Sequence, residues 1–245
     1  MKILCIVQAR MGSERLPGKV MRPILGKPMI AYTLERLKKS RYIDEVVLAT
    51  SVKDTENEMV EYLDSQNYQV FRGSEDYVLE RYVDAVKQFG GDIVMRITGD
   101  CPLIDPVMVD QIITYYLAND FDYVGVDTMN GNYIRGFDVE IFTREALMKA
   151  YEDTKEIEGI SPEKEHVTYY IYQHAELFKI DQLKASDYYR KNYRLCVDTP
   201  EDFALISNIY EHFQDTYVSA KDVIRYLDEN PQIGRMNQDI KQKHV

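Results

Sequence analysis

Three groups of side chains in this sequence have the types and spacing of a phosphate-handling site. The first is Arg10, Ser13, Arg15 and Lys19, directly after the apolar run Ile3–Val7. Arginine forks and a lysine point charge suit a triphosphate. Ser13 adds a hydroxyl donor, and Gly12 and Gly18 let the backbone approach a ligand. The other two groups are single carboxylates where apolar runs end: Asp100 in "RITGDCPLIDP" and Asp198 in "RLCVDTPEDF". A lone aspartate in such a place ordinarily caps a turn. Beside a triphosphate it is repelled by about 1–4 kcal/mol per charge pair, unless a divalent cation lies between. Mg²⁺ is commonly held by one or two carboxylates together with phosphate oxygens and water. Two aspartates facing one basic loop would therefore make a Mg²⁺–nucleotide site, provided the fold brings them together.

Two familiar phosphate loops are excluded. The kinase-type loop needs four residues between its glycines and a hydroxyl after its lysine. Here Gly12 and Gly18 enclose five, Val20 stands at the hydroxyl position, and Pro17 removes an N–H from the cradle. The dinucleotide fingerprint needs three closely spaced glycines and an acid after the second strand; the second run ends "LATS". Scattered charge on a surface turn is the remaining alternative.

The elements that must position these groups follow from periodicity. Apolar runs at Ile3–Val7, Glu45–Thr50, "YQVFRG" and Asp92–Gly99 alternate with helix-period segments at Met29–Lys39, "TENEMVEYLDSQ", "YVLERYVDAVKQFG" and "PVMVDQIITYYLAN". This βα alternation predicts an α/β fold, a mostly parallel sheet between helices, with ligands at the carboxyl ends of strands. After "FDYVGV" the rhythm changes, and Asn130-Gly131 predicts a hairpin. A helix is expected over Ser161–His174 and late strands at "LFKI" and "NYRLCV". Thr199, Pro200 and Asp202 form a capping-box signature, as do Ser219 and Asp222. Residues 1–230 read as one domain. The polar tail 231–245 is expected to be partly disordered.

Lys+Arg number 30 against Asp+Glu 41, a net charge of −11, which disfavours long nucleic acid as a partner. A small anion must then find a local basic site. Cys5, Cys101 and Cys196 show no paired or metal-ligand spacing, which suits a reducing cytoplasm. No run approaches the length of a membrane helix, and the apolar start is too short for a signal peptide. Cys101 and Cys196 read as interior fillers.

"ARMGSERLPGK" followed by "ILGKPMIAYTLERL" closely resembles the opening of the sugar-activating cytidylyltransferases, which include the enzymes that make CMP-Kdo and CMP-sialic acid. The likeness is greatest to the branch called spore coat polysaccharide biosynthesis protein F. The family pattern R-x-x-S-x-R-x-P-x-K is met at Arg10, Ser13, Arg15, Pro17 and Lys19. "GDCPLIDP" and "VDTPEDF" resemble the family's two magnesium motifs, and the resemblance extends over nearly all of 1–215.

That resemblance implies a nucleotide-diphospho-sugar transferase fold, a single nucleotidyltransferase domain in which about 128–190 is a small hairpin and helix insertion for the acceptor site and dimerisation. It further implies a homodimer with Mg²⁺ as cofactor, transferring CMP from CTP to a sugar or sugar acid. Arg10, Arg15, Lys19 and Asp100 would be catalytic, and Asp100 and Asp198 metal ligands. CTP contacts would come from Ala9, Gly12 and Ser13 as well as the loop cations, with Arg72, Ser74 and Arg81 nearer the base. Asp138, Glu140 and His166 of "EKEHVTYYI" would face the acceptor. Each of these has a plainer reading, as an exposed helix arginine, an alternating strand position or a structural histidine. The clustered tyrosines of "YYIY" suit a subunit interface. "GSEDYVLER" departs from the corresponding run of the CMP-Kdo enzymes, so the acceptor is not implied to be Kdo. A related nucleotidyl- or glycosyltransferase using another nucleotide, and a silent nucleotide-sugar-binding protein, are the alternatives.

Overall fold

The computed structural model describes residues 1–128 and 132–242. Among the described residues nine strands run in chain order: β1 (Ile3–Gln8), β2 (Pro23–Ile24), β3 (Lys27–Pro28), β4 (Glu45–Ser51), β5 (Gln69–Gly73), β6 (Ile93–Thr98), β7 (Tyr123–Val126), β8 (Glu140–Thr143) and β9 (Ile180–Leu183). The helices are α1 (Met29–Leu37), α2 (Asn57–Ser65), α3 (Val78–Phe89), α4 (Pro106–Leu117), α5 (Arg144–Thr154), α6 (Pro162–Glu165), α7 (Tyr169–Gln173), α8 (Pro200–Phe213), α9 (Ala220–Glu229) and α10 (Pro231–Gly234).

Seven strands form one sheet in the order β5-β4-β1-β6-β8-β7-β9. β1 pairs in parallel with β4 and β6, and β4 with β5; β8 is antiparallel to both β6 and β7. The central strands read as continuous apolar runs because both faces are covered. One face packs against α1, α2, α4, α8 and α9 through residues such as Ile30, Leu63, Ile112, Leu205 and Ile224. The other packs against α3, α5 and α7 through Leu79, Tyr82, Leu147 and Ile171. The expected α/β sandwich is therefore the observed one. Among the described residues no helix is long and apolar enough to cross a membrane.

The short antiparallel pair β2–β3 was not among the expected strands; the larger differences lie after Val126. β7 and β8 pair antiparallel as a hairpin would, but the Asn130-Gly131 turn lies outside the described residues. The helix expected over Ser161–His174 breaks into α6 and α7, because His166 leaves helical geometry at φ −108°, ψ 99°. The run expected as a strand at 192–197 contributes one bridge, between Arg194 and Arg135, because Asp198 and its neighbours turn immediately into α8. The polar tail packs through residue 242: Asn237 is only 3% exposed.

Candidate active site

The loop after β1 is built to aim Lys19 inwards. Ser13 N–H and Gly18 N–H both donate to the Met11 carbonyl, at 2.9 and 3.0 Å, which folds the loop back on itself. Gly18 takes the left-handed conformation, φ 68°, and one 3₁₀ turn follows over Lys19–Met21. The buried Glu56 carboxylate fixes the loop's entrance by accepting from Met11 N–H and from Thr50 Oγ1 of β4, each at 2.9 Å. Lys19 ends up 9% exposed. Its ammonium donates to Asp100 Oδ2 at 3.1 Å, Asp198 Oδ1 at 2.9 Å and the Val197 carbonyl at 2.6 Å.

Both carboxylates reach this point through close backbone contacts. Asp100 follows β6 across Gly99, whose amide donates to the Gln8 carbonyl at 2.8 Å. A Cβ at Gly99 would lie 2.8 Å from Ala9 Cβ and 2.9 Å from Ile30 Cδ1, so only glycine lets the exits of β1 and β6 meet this closely. Val197 N–H donates to the Asp100 carbonyl at 2.8 Å, tying the second acidic segment to the first. Asp202, the N3 residue of the α8 capping box, accepts from the amides of Asp198 and Thr199. Asp198 Oδ2 also receives Arg15 Nη2 at 2.9 Å and Arg194 Nη2 at 2.5 Å.

Charge follows from this packing. Burial alone lowers the pKa of the Lys19 ammonium, but Asp100 and Asp198 outweigh it and hold the group above its ordinary value. Burial likewise works against an ionised Asp198, yet Lys19, Arg15 and Arg194 keep its carboxyl below the usual range. Both are charged at neutral pH.

These groups line one cleft of about 510 Å³. Of the residues singled out in the sequence, the cleft is lined by Ala9, Arg10, Ser13, Arg15, Lys19, Arg81, Asp100, His166 and Asp198. Arg10 lies 3.7 Å from Glu75 and is mostly exposed. Arg81 is 4% exposed; its Nη1 donates to the Ser74 carbonyl, while its buried Nε has no partner among the described residues. Burial holds its pKa down. His166, half-buried at the break between α6 and α7, has its pKa lowered by burial, with Glu165 pulling the other way.

Five residues singled out in the sequence do not line the cleft. Gly12 is exposed at the loop tip. Arg72 instead staples β5 to the turn after β4, donating to the Ser51 and Lys53 carbonyls and to Asn57. Ser74 Oγ accepts from Tyr77 N–H, ahead of α3. Asp138 accepts from Thr128 Oγ1 at 2.7 Å and Gly136 N–H at 2.6 Å, and burial raises its pKa. Glu140 accepts from Tyr123 Oη at 2.7 Å, Thr168 Oγ1 at 2.5 Å and Arg96 Nη1. Burial works against the Glu140 anion, but Arg96 and these donors leave its pKa below the usual value.

Arg96 itself was missed by sequence reasoning and does line the cleft, with Nε on Gln8 Oε1 at 3.0 Å. Its signal was available: a single arginine inside the apolar strand "IVMRIT" must have a buried acidic partner.

The donor set can be tested against a divalent cation. Asp100 Oδ2 and Asp198 Oδ1 already converge on one positive charge, the Lys19 ammonium. Among the described residues no cluster of three or more His, Cys, Asp or Glu side chains forms an all-protein cage. Two carboxylates opening onto a cleft beside cations suit Mg²⁺, which keeps waters and takes its remaining ligands from phosphate. The residues present fit.

Comparison with known proteins adds an independent line. The model of a family described as cytidylyltransferase matches residues 4–229. An uncharacterised protein of Methanocaldococcus jannaschii is 41% identical over 244 residues, covering 99% of this chain and 97% of that protein. The spore coat polysaccharide biosynthesis protein SpsF of Bacillus subtilis is 35% identical over 236 residues, 94% of this chain and 95% of that one. Among solved structures, a cytidylyltransferase from Leptospira borgpetersenii superposes with a TM-score of 0.87 at 33% identity, over the full length of both chains. A CMP:2-keto-3-deoxy-manno-octonic acid synthetase complexed with CTP has a TM-score of 0.63 at 17% identity, covering 86% of this chain and 99% of that one, a likeness of fold.

Proposed function

Since the chain belongs to the cytidylyltransferase family, we propose that it transfers CMP from CTP to a sugar or sugar acid, releasing pyrophosphate, for the assembly of a surface or spore-coat polysaccharide. The observation that carries this reading is the convergence of Lys19, Asp100 and Asp198 at the mouth of the basic loop. The polysaccharide role draws on the name of the Bacillus subtilis relative, a spore coat polysaccharide biosynthesis protein.

An acceptor hydroxyl oxygen bonds to the α-phosphorus as the bond to the bridging oxygen of pyrophosphate breaks, and the hydroxyl proton passes to water. Positioning and charge stabilisation dominate such transfers. Arg15 and Lys19 hold the β- and γ-phosphates and stabilise the departing pyrophosphate. Arg10 and the loop amides contact the α-phosphate region, with Ala9 and Ser13 beside it. Asp100 and Asp198 would hold Mg²⁺, which when bound polarises the α-phosphate and makes the acceptor hydroxyl more acidic. Arg81 takes the base side of the cleft and His166 the acceptor side. Arg72, Ser74, Asp138 and Glu140 support from behind, by fixing strand ends and by neutralising Arg96. The enzyme works in the cytoplasm as a homodimer through the 128–190 region, on small molecules rather than on nucleic acid or membrane.

The test is pyrophosphate release from CTP, UTP and GTP against a panel of sugar acids and neutral sugars with Mg²⁺. Release with CTP and one acceptor class is the expected result; release with UTP or GTP alone overturns the nucleotide assignment. Silence with every pair favours a binding protein. Asp100→Asn should fold normally and lose turnover, and near-normal activity in that variant sinks the site.

A further inference from the structure

The C-terminal tail, which begins beyond the matched residues 4–229, reaches back to one of the two proposed metal ligands. We propose that Arg194, fastened by Asn237 and Gln242 of this tail, is a positioning residue for Asp198, and that the tail thereby sets the enzyme's affinity for its divalent cation. The inference rests on the reading above that Asp198 is a ligand.

Every nitrogen of the Arg194 guanidinium has its own acceptor: Nε on Asp202 Oδ1 at 3.0 Å, Nη1 on Gln242 Oε1 at 2.6 Å and Nη2 on Asp198 Oδ2 at 2.5 Å. A planar fork held at three points cannot swing, so the oxygen it grips is fixed as well. Asn237 completes the clamp from the tail, donating to the Arg194 carbonyl at 2.9 Å and to Asp202 Oδ1 at 2.7 Å. Asp202 is fully buried, and its other oxygen accepts from the Asp198 and Thr199 amides. The tail is thus joined to the main chain and to the side chain of Asp198 through a single buried cluster.

The two oxygens of Asp198 are divided between two tasks. Oδ2 takes Arg194 and Arg15, while Oδ1 faces the position it shares with Asp100. Arg15 belongs to the open loop and is assigned to phosphate. When it turns to the nucleotide, Arg194 alone keeps Oδ2 turned away and Oδ1 presented. Residues that orient a metal ligand in this way typically change metal affinity or activity by about 10–100-fold when removed.

The experiment compares full-length wild type, Asp198→Asn, Arg194→Gln and the double variant Asn237→Ala/Gln242→Ala. Mn²⁺ binding is followed by electron paramagnetic resonance at fixed CTP without acceptor, alongside metal-activation curves and thermal melts. Arg194→Gln should raise the Mn²⁺ concentration for half-saturation about tenfold. The tail variant should move it in the same direction by a smaller factor, with CTP half-saturation at excess metal held near wild type and turnover recovered by added Mn²⁺. A merely structural role would lower the active fraction and leave the metal curve in place. Wild-type Mn²⁺ binding by a cooperatively melting Arg194→Gln, with binding lost in Asp198→Asn, overturns the positioning role alone. If Arg194→Gln does not fold, unchanged binding in the tail variant does the same. Wild-type binding by Asp198→Asn overturns the ligand assignment, and the proposal falls with it.

Discussion

Lys19 is held where the proposed divalent cation would sit, with its ammonium between Asp100 and Asp198. Its removal should therefore have two opposite effects. In Lys19→Met the carboxylates lose their resident counter-charge, so nucleotide-free enzyme should bind Mn²⁺ more tightly. Turnover should meanwhile fall about 10²–10³-fold, the usual loss of a donor that meets developing charge. Weaker Mn²⁺ binding, read by electron paramagnetic resonance, would contradict this. Glu140 poses the converse problem, a mostly buried acid facing a mostly buried arginine. Removing one partner of a fully buried pair costs roughly 3–5 kcal/mol. Glu140→Gln should cost somewhat less, about 2–3 kcal/mol in urea unfolding, because both side chains keep some contact with water. The Glu140 carboxyl is depressed in the folded state, whereas such groups titrate near about 4.3 in unfolded chains. Its stabilisation is complete above that value and is lost as pH falls through the folded value. The stability gap between wild type and Glu140→Gln should then narrow on acidification below about pH 4.3; a gap independent of pH rules this out.

Two further connections help to aim the site. Gly136, at φ 103°, lies so close to the next acidic segment that a Cβ would sit 2.4 Å from the Leu195 carbonyl carbon and 2.7 Å from Cys196 N. Neither backbone atom can move without shifting Asp198, so Gly136→Ala should destabilise by more than about 1–3 kcal/mol, the cost of overpacking alone. Urea denaturation of that variant measures it, and a change under about 0.5 kcal/mol, typical of surface sites, would refute the contact. At α8, Thr199 Oγ1 accepts from Asp202 N–H. Thr199→Ala should cost about 1 kcal/mol by the same measurement, and no loss would mean the cap is not limiting. The α8 cap was readable from "DTPEDF", as were β1, β4, β5, β6 and α1 to α4, because both report local spacing; the short β2–β3 pair was not. The segment from 127 to 199 was less legible. Its helix breaks at His166 and its last strand reduces to one bridge, since tertiary pairing of Thr168 with Glu140 and of Leu195 with Arg135 outweighs local pattern.

At the scale of the whole molecule, Asp100 and Asp198 stand 81 and 179 positions from Lys19, yet all three meet. Sequence showed each acid at a strand-like end, and only the resemblance joined them; the folded chain does so through Gly99 and the Val197–Asp100 bond. The Arg96–Glu140 pair stayed hidden because β8 enters antiparallel beside β6, a long-range pairing that spacing cannot announce. Ligand binding should be felt across the fold. CTP with Mg²⁺ at 100 times the dissociation constant adds about 2.7 kcal/mol to stability. For a chain this size that is a rise of roughly 5–10 °C in melting temperature. Differential scanning fluorimetry should register it in wild type and not in Asp100→Asn/Asp198→Asn; an equal rise in both would place the ligand elsewhere. One further consequence follows from the pairing of cations with acids along the cleft: Arg10 with Glu75, Arg15 with Asp198, Lys19 with both aspartates, and Arg96 with Glu140. On the roles proposed above, each loop cation that lets go of pyrophosphate would have a carboxylate waiting to recapture it. The same acids that would compete with the incoming nucleotide would then hasten the departure of the product, trading tightness of grip for speed of turnover.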